Sequence, residues 1–478
     1  LLPELYRNDP GINDIGPHSG CNHATPATLL AGYRYAEMGY TSAFEPAVLP
    51  INARQAHMEM ADTPMLDTGG YAILGNDDFL LRLLSEGADQ KLVNDYVAWT
   101  LHASQCIGIK VVNPGGINAF KFNQRKLDLD EKSPYYNLTP REIVSSLARA
   151  LYELGVPHPL HVHASNLGVP GNFKTTLDTM KAADGLPLHL AHIQFHSYGT
   201  EGDYRFSSAA AEIAAAINAN HNISADIGQV MFGQTVTISG DTMRQYANHQ
   251  HAHPNKWVCI DIECDAGCGI VPFHYRDRNF VNAIQWTIGL EIFLMVDDPW
   301  RVFLTTDHPN GAPFTSYPHL IRLLMDRSFR EEKLMQIHPE AAAYSRLSGL
   351  TREYTLYEMA IMTRAGPARI LGLTDRGHLA AGGYADITVY DPDKNYEHMF
   401  EQPAYVFKGG ELIVRQGEIC NVVRGNTYVV RPEFDPGIEK SLGNYFDRFH
   451  SMHMENFKIS DDEMANNIGS TVMVMDCV

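Results

Sequence analysis

The feature that most narrows the folds open to this chain is a repeated alternation. Short apolar or β-branched runs are each followed by a longer stretch whose apolar residues recur at helical spacing. The runs expected as strands are Thr41 to Val48, Ala72 to Leu74, Ile107 to Val112 leading on to Ala119 to Phe122, Leu160 to His163, Leu188 to Ile193, Ile223 to Ile227 and Val302 to Thr306. Arg141 to Leu154 and Ser207 to Asn220 are helical stretches between them. Strand and helix in alternation imply a parallel sheet, and this many units within roughly 370 residues fit an α/β (β/α)8 barrel of the TIM type better than an open sheet. Barrel active sites sit at the carboxyl ends of the strands, and several of these strands end in His, Lys or Asp.

The texture changes after Leu373. Gly377 to Asp391 is turn-rich and then strand-like, and Ala404 to Val414 reads as a hairpin with a turn at Gly409-Gly410. The expected division is therefore a barrel over residues 1–372, a small β domain over 373–430, and a C-terminal tail or subunit contact over 431–478. A chain of 478 residues, 45% hydrophobic, has enough apolar material for such a pair of domains. Its 37 basic and 56 acidic residues leave a formal charge of −19, which argues against nucleic acid or an anionic membrane as a partner. The apolar run nearest to membrane length, Ile284 to Val296, is broken by Gln285 and Glu291. Seven scattered cysteines fit a reducing cytoplasm better than a disulfide-bonded secreted scaffold.

Four strand-end residues carry chemistry: Lys121, His163, His192 and Asp307. A carboxylate at the mouth of an apolar strand packs poorly, but it is well placed to ligate a metal or to take a proton from water on one. Imidazole and carboxylate are good zinc ligands, and a lysine joins them once carbon dioxide has carbamylated it. A lone strand-end histidine is usually a hydrogen-bonded core residue; it is the ordered set of four that points to a metal site. Lys110, on an earlier apolar run, is a rival to Lys121, and His161 is expected to face away from the barrel interior that His163 faces. His249, His251 and His253 lie in a polar stretch read as solvated loop, and Cys259, Cys264 and Cys268 are read as free thiols.

These residues also carry a resemblance. The lysine, Val162-His163-Ala164, Ala191-His192-Ile193, Thr306-Asp307-His308-Pro309 and the Gly377 to Asp391 stretch resemble the amidohydrolase superfamily, whose barrel is followed by a small β-sandwich. Gly32 to Thr41, Val112 to Gly116, His163 to Asn172 and Thr305 to Gly311 are similar to the amidohydrolase-like subunit of formylmethanofuran dehydrogenase, and equally to its relative in the bacterial formyltransferase/hydrolase complex of one-carbon metabolism. Lys121 is preferred over Lys110 because it follows the Pro-Gly-Gly turn in the stretch that resembles this family.

The resemblance implies two Zn2+ ions bridged by an N6-carboxylated lysine, with Lys121, His163, His192 and Asp307 as ligands and Asp307 as general base. It also implies formylmethanofuran as substrate, methanofuran and formate as products, and the other subunits of one of those complexes as partners. Asn166, His196 and His308 are the expected substrate-binding residues. The superfamily's His-x-His pair has no counterpart before Lys121 and is expected upstream of Leu1; His18 and His23 are five apart in a loop-like stretch, and His57 and His102 sit in helical surroundings. The alternatives are a cyclic-amide hydrolase of the hydantoinase or dihydroorotase kind and a metal-free scaffold subunit.

Overall fold

The computed structural model describes residues 28–116, 127–238 and 270–478. Seven strands form one sheet in chain order: β1 (Glu45–Val48), β2 (Gly70–Ile73), β3 (Gly108–Val112), β4 (Leu160–His163), β5 (Leu188–Leu190), β6 (Ile223–Asp226) and β7 (Val302–Phe303). Each strand pairs parallel with the next. A doubly wound sheet reverses its strand order at a switch point, whereas a sheet laid down in one direction curls as a barrel wall does. The expected run Ala119 to Phe122 falls outside the described residues.

The helices between the strands start where the sequence signals them. Thr139 and Glu142 form a reciprocal capping box at the head of Pro140–Glu153, with Pro140 in the first turn, where its missing N–H costs nothing. Phe280–Met295 is apolar nearly all round and buried accordingly. Its two interrupting polar residues are satisfied inside the protein: Gln285 donates to the Tyr198 hydroxyl (2.9 Å), and Glu291 accepts from Ser208 and Ser345. Among the described residues no helix is long and apolar enough to cross a membrane.

The expected hairpin is present. Tyr405–Lys408 and Glu411–Arg415 pair antiparallel, and Gly409 and Gly410 take positive φ between them within a four-stranded antiparallel sheet. Residues 431–478 hold a helix (Ile438–Phe449), and their last strand, Thr471–Met475, pairs parallel with Asn426–Val430. Leu442, Phe446 and Met475 join the main core, and Phe457 stacks on Trp99 at 5.6 Å.

A buried charge cluster stitches the small sheet to the large one. Asp67, just before β2, accepts from Arg376 and Lys408 and from the Asn426 N–H at 2.7 Å. Asp386 accepts from the same Arg376 (2.8 Å) and Lys408 (2.9 Å). Two carboxylates and two cations compensate one another, so removing one member strands the others without solvent. Asp67→Ala should destabilise the fold by about 3–5 kcal/mol, seen as a lowered calorimetric midpoint. An unchanged midpoint would show that the cluster does not join the two sheets energetically.

Candidate active site

Strand register decides which side chains meet. Lys110, His161, His189 and Ser224 are successive pairing partners across β3 to β6, and one level nearer the carboxyl ends Val112 pairs with His163. Residues two apart on a strand share a face, so His161 and His163 both point inward and both line the same cavity. The expectation that His161 faces away is therefore corrected.

The sheet gathers its chemistry where the strands end. His163, His192 and His196 place ring nitrogens within 4.8 Å of one another, with ring centroids 4.6–5.3 Å apart. His192 Nδ1 and both ring nitrogens of His196 are buried without a hydrogen-bond partner. Burial, reinforced by neighbouring His163, holds the imidazoles of His192 and His196 well below the usual histidine range, so both are neutral. Neutral imidazoles with unused nitrogens are the donor chemistry of a zinc site, and the residues present fit a metal.

β5 stops at Leu190 because His192 adopts φ 32° and opens a tight turn over Ile193–His196, which brings His196 back beside His192. Asp307 follows β7 at φ 49°. Gly228, just past β6, lies between the two: a Cβ there would stand 2.4 Å from the His192 Cβ and 3.3 Å from the Asp307 Cβ. Only a glycine lets these segments approach so closely, and its φ of 66° is one that side chains rarely adopt.

A cavity of about 1260 Å3 opens onto these residues and is bordered by Lys110, His163, His192, Asp226, Asp307 and His308. Of the expected substrate-binding residues, His308 borders it, with Nδ1 accepting the Phe314 N–H (3.2 Å) and burial pushing its pKa down to about 4. Asn166 and His196 do not line it. The Asn166 amide donates to Asp128 and Thr175, both at 3.0 Å, and His196 stands in the imidazole triad. Lys121, His18, His23, His249, His251, His253, Cys259, Cys264 and Cys268 lie outside the described residues. His57 and His102 are on helices, each bonded to a backbone carbonyl.

The lysine brought to the site among the described residues is Lys110. It is buried in the β3 wall, and desolvation lowers its ammonium to about 8 against the pull of Asp226 and Asp307. A trace is present in the sequence: in Gly108-Ile-Lys-Val-Val112 a lysine alternates with Ile109 and Val111, which puts it on the opposite face from them. Asp226 and Gly228 carry no such signal, because their roles are contacts with distant strands.

A curled parallel sheet with imidazoles and a carboxylate at its carboxyl ends agrees with the comparison to known families, and the chain belongs to the amidohydrolase family, whose pattern matches residues 17–414. It is 44% identical over 475 residues to a subunit of the formyltransferase/hydrolase complex Fhc of Methylorubrum extorquens, covering 98% of this chain and 86% of that protein. It is 40% identical to protein FwdA of Methanocaldococcus jannaschii, covering 95% of this chain and 83% of that protein. The X-ray crystal structure of the Methylorubrum extorquens complex FhcABCD with methylofuran contains a chain that superposes with a TM-score of 0.90 at 43% identity, over 99% of this chain and 88% of that one.

Gly228→Ala should push the His192 and Asp307 segments apart and cut metal content and turnover together, read by elemental analysis and rate. A variant with both values unchanged would show that the close approach is dispensable.

Proposed function

We propose that this chain hydrolyses, or in reverse forms, the N-formyl amide of a methanofuran-type amine, yielding formate and the free amine, within a multisubunit complex of one-carbon metabolism. The observation that carries this reading is the meeting of His163, His192 and Asp307 at the strand ends, in a chain so similar to one crystallised with methylofuran. In the same reading the seven strands belong to a (β/α)8 barrel over residues 1–372. The four-stranded sheet belongs to a β-sandwich over 373–430, and 431–478 is a C-terminal tail or subunit contact.

His163, His192 and His196 are the imidazole ligands, and Lys110, rather than the expected Lys121, is the lysine carboxylated to join them. Lys110 supports the assignment because burial lowers its ammonium to about 8, so a far larger fraction is the free amine to which carbon dioxide adds than in an ordinary lysine. Zinc ions bound by these residues would supply an activated water and polarise the formyl oxygen. The carboxylate of Asp307 takes the proton of that water and passes it to the leaving nitrogen, so that amide plus water becomes formate plus ammonium. His308, neutral at the cavity wall, contributes to the surface on which the substrate's formamide lies.

Asp307→Asn should lower kcat for formate release by about 10²–10⁴-fold, the contribution of a general base, with metal content spared. Near-normal kcat would remove Asp307 from the mechanism. Lys110→Ala should lose metal and activity and regain part of both with a short-chain carboxylic acid, which replaces the missing carbamate. If Lys121→Ala behaves in that way and Lys110→Ala does not, the lysine assignment reverts to Lys121.

A further inference from the structure

Below the imidazole triad lies a second group of ligand atoms that the proposed reaction does not use. His161 on β4, His189 on β5 and Asp226 on β6 place one donor atom each within 4.8 Å of one another. Two of the separations are specific: His189 Nε2 is 3.3 Å from Asp226 Oδ2, and His161 Nε2 is 3.7 Å from the same oxygen. A tetrahedral ion with bonds near 2.1 Å needs its ligand atoms roughly 3.4 Å apart, so two edges are nearly in place, and the third, between the two imidazoles, is within 4.8 Å.

The surroundings orient these atoms as ligands. His189 Nδ1 bonds the Ser224 hydroxyl at 2.9 Å, which fixes the ring and turns Nε2 toward Asp226. Asp226 Oδ1 accepts from the His192 N–H (2.9 Å) and the Thr305 hydroxyl (2.8 Å), which leaves Oδ2 for the two imidazoles. A purely structural hydrogen bond between His189 and Asp226 would account for those two residues but not for His161. Its ring is buried and neither nitrogen has a hydrogen-bond partner, an omission worth about 1–3 kcal/mol if nothing fills it. All three residues border the large cavity, which gives an ion its way in.

We infer that His161, His189 and Asp226 form a second site for a borderline divalent cation such as Zn2+ or Co2+, one level below the strand-end site. The inference rests on the proposed function in one respect: Lys110, paired with His161 across the strands, opposes a cation as an ammonium but not as a carbamate. A bound ion would neutralise Asp226 and lock the three strands whose ends carry His163, His192 and Gly228.

The experiment is a Co2+ titration of the metal-stripped full-length protein, followed by visible absorption and elemental analysis, for the wild type, His189→Gln and His161→Leu. Each variant should saturate at one Co2+ fewer per chain. His161→Leu also removes the orphaned nitrogens, so its thermal midpoint should not fall; a variant that folds and yet binds one ion less separates ligation from packing. Equal Co2+ content in the wild type and both folded variants would overturn the site. Because the readout is metal content, failure of formamide hydrolysis is scored separately by a formate assay on the wild type.

Discussion

The geometry of the site depends on one buried carboxylate. Asp226 Oδ1 holds the His192 N–H and the Thr305 hydroxyl, and the Thr305 hydroxyl in turn accepts the Gly228 N–H at 2.9 Å. Three neighbouring strand ends, β5, β6 and β7, are thus tied at one point, and His192 and Asp307 take their positions from it. Burying a carboxylate costs several kcal/mol unless it is fully bonded. Burial does raise the Asp226 pKa, but the imidazoles of His161 and His189 that face its carboxylate outweigh it, and the group stays ionised well below the usual carboxylate range. The histidines one level down the strands are therefore part of what holds the strand-end level in place.

How much of this is legible in the sequence follows from the range of each interaction. β4 is found at its expected bounds, and Pro140–Glu153 lies within a residue of its expected start and end, because hydrophobic period and capping are local. His163, His192 and Asp307 are readable because they end apolar runs. Register is not local. That Lys110 stands beside His161, and His161 beside His189, depends on pairing between strands up to about 50 positions apart, so a buried row of polar residues reads as unrelated polar interruptions. His196 reads as a loop residue facing substrate, because nothing in the sequence announces that His192 leaves the strand and turns the chain back.

The small sheet shows the same division. Its Gly-Gly hairpin and the strand after Asp386 can be read from turn chemistry alone. What fixes that sheet in place cannot: of the two carboxylates that Lys408 shares with Arg376, the one outside the small sheet is Asp67, 341 positions before Lys408. The helix Thr28–Glu37 likewise buries Leu30, Tyr33 and Ala36 against Val406, Ile413 and Val414 of that sheet, a contact between opposite ends of the chain. An apolar face announces that a helix will pack, but not against what.

The strand ends around the cavity share a further property. Asn113 after β3, Asn166 after β4, His192 after β5 and Asp307 after β7 all hold positive φ without being glycine. Each such residue costs of order 1–3 kcal/mol and persists only where its surroundings over-determine it. The determinants are visible. Asn76 donates to the carbonyls of Val112 (2.7 Å) and Asn113 (3.1 Å), Asn172 to that of Asn166 (3.0 Å), Asp226 accepts the His192 N–H, and the Asn310 N–H meets the Asp307 carbonyl at 2.5 Å. A relaxed strand would carry its last side chains straight on, alternately inward and outward. The left-handed turn at its end redirects the chain, and at β5 and β7 it is the residue in that turn, His192 or Asp307, that meets the cavity. The strain is therefore spent on aim: rigid walls fix where the ends are, and pinned, unfavourable turns fix where the cavity-facing side chains point.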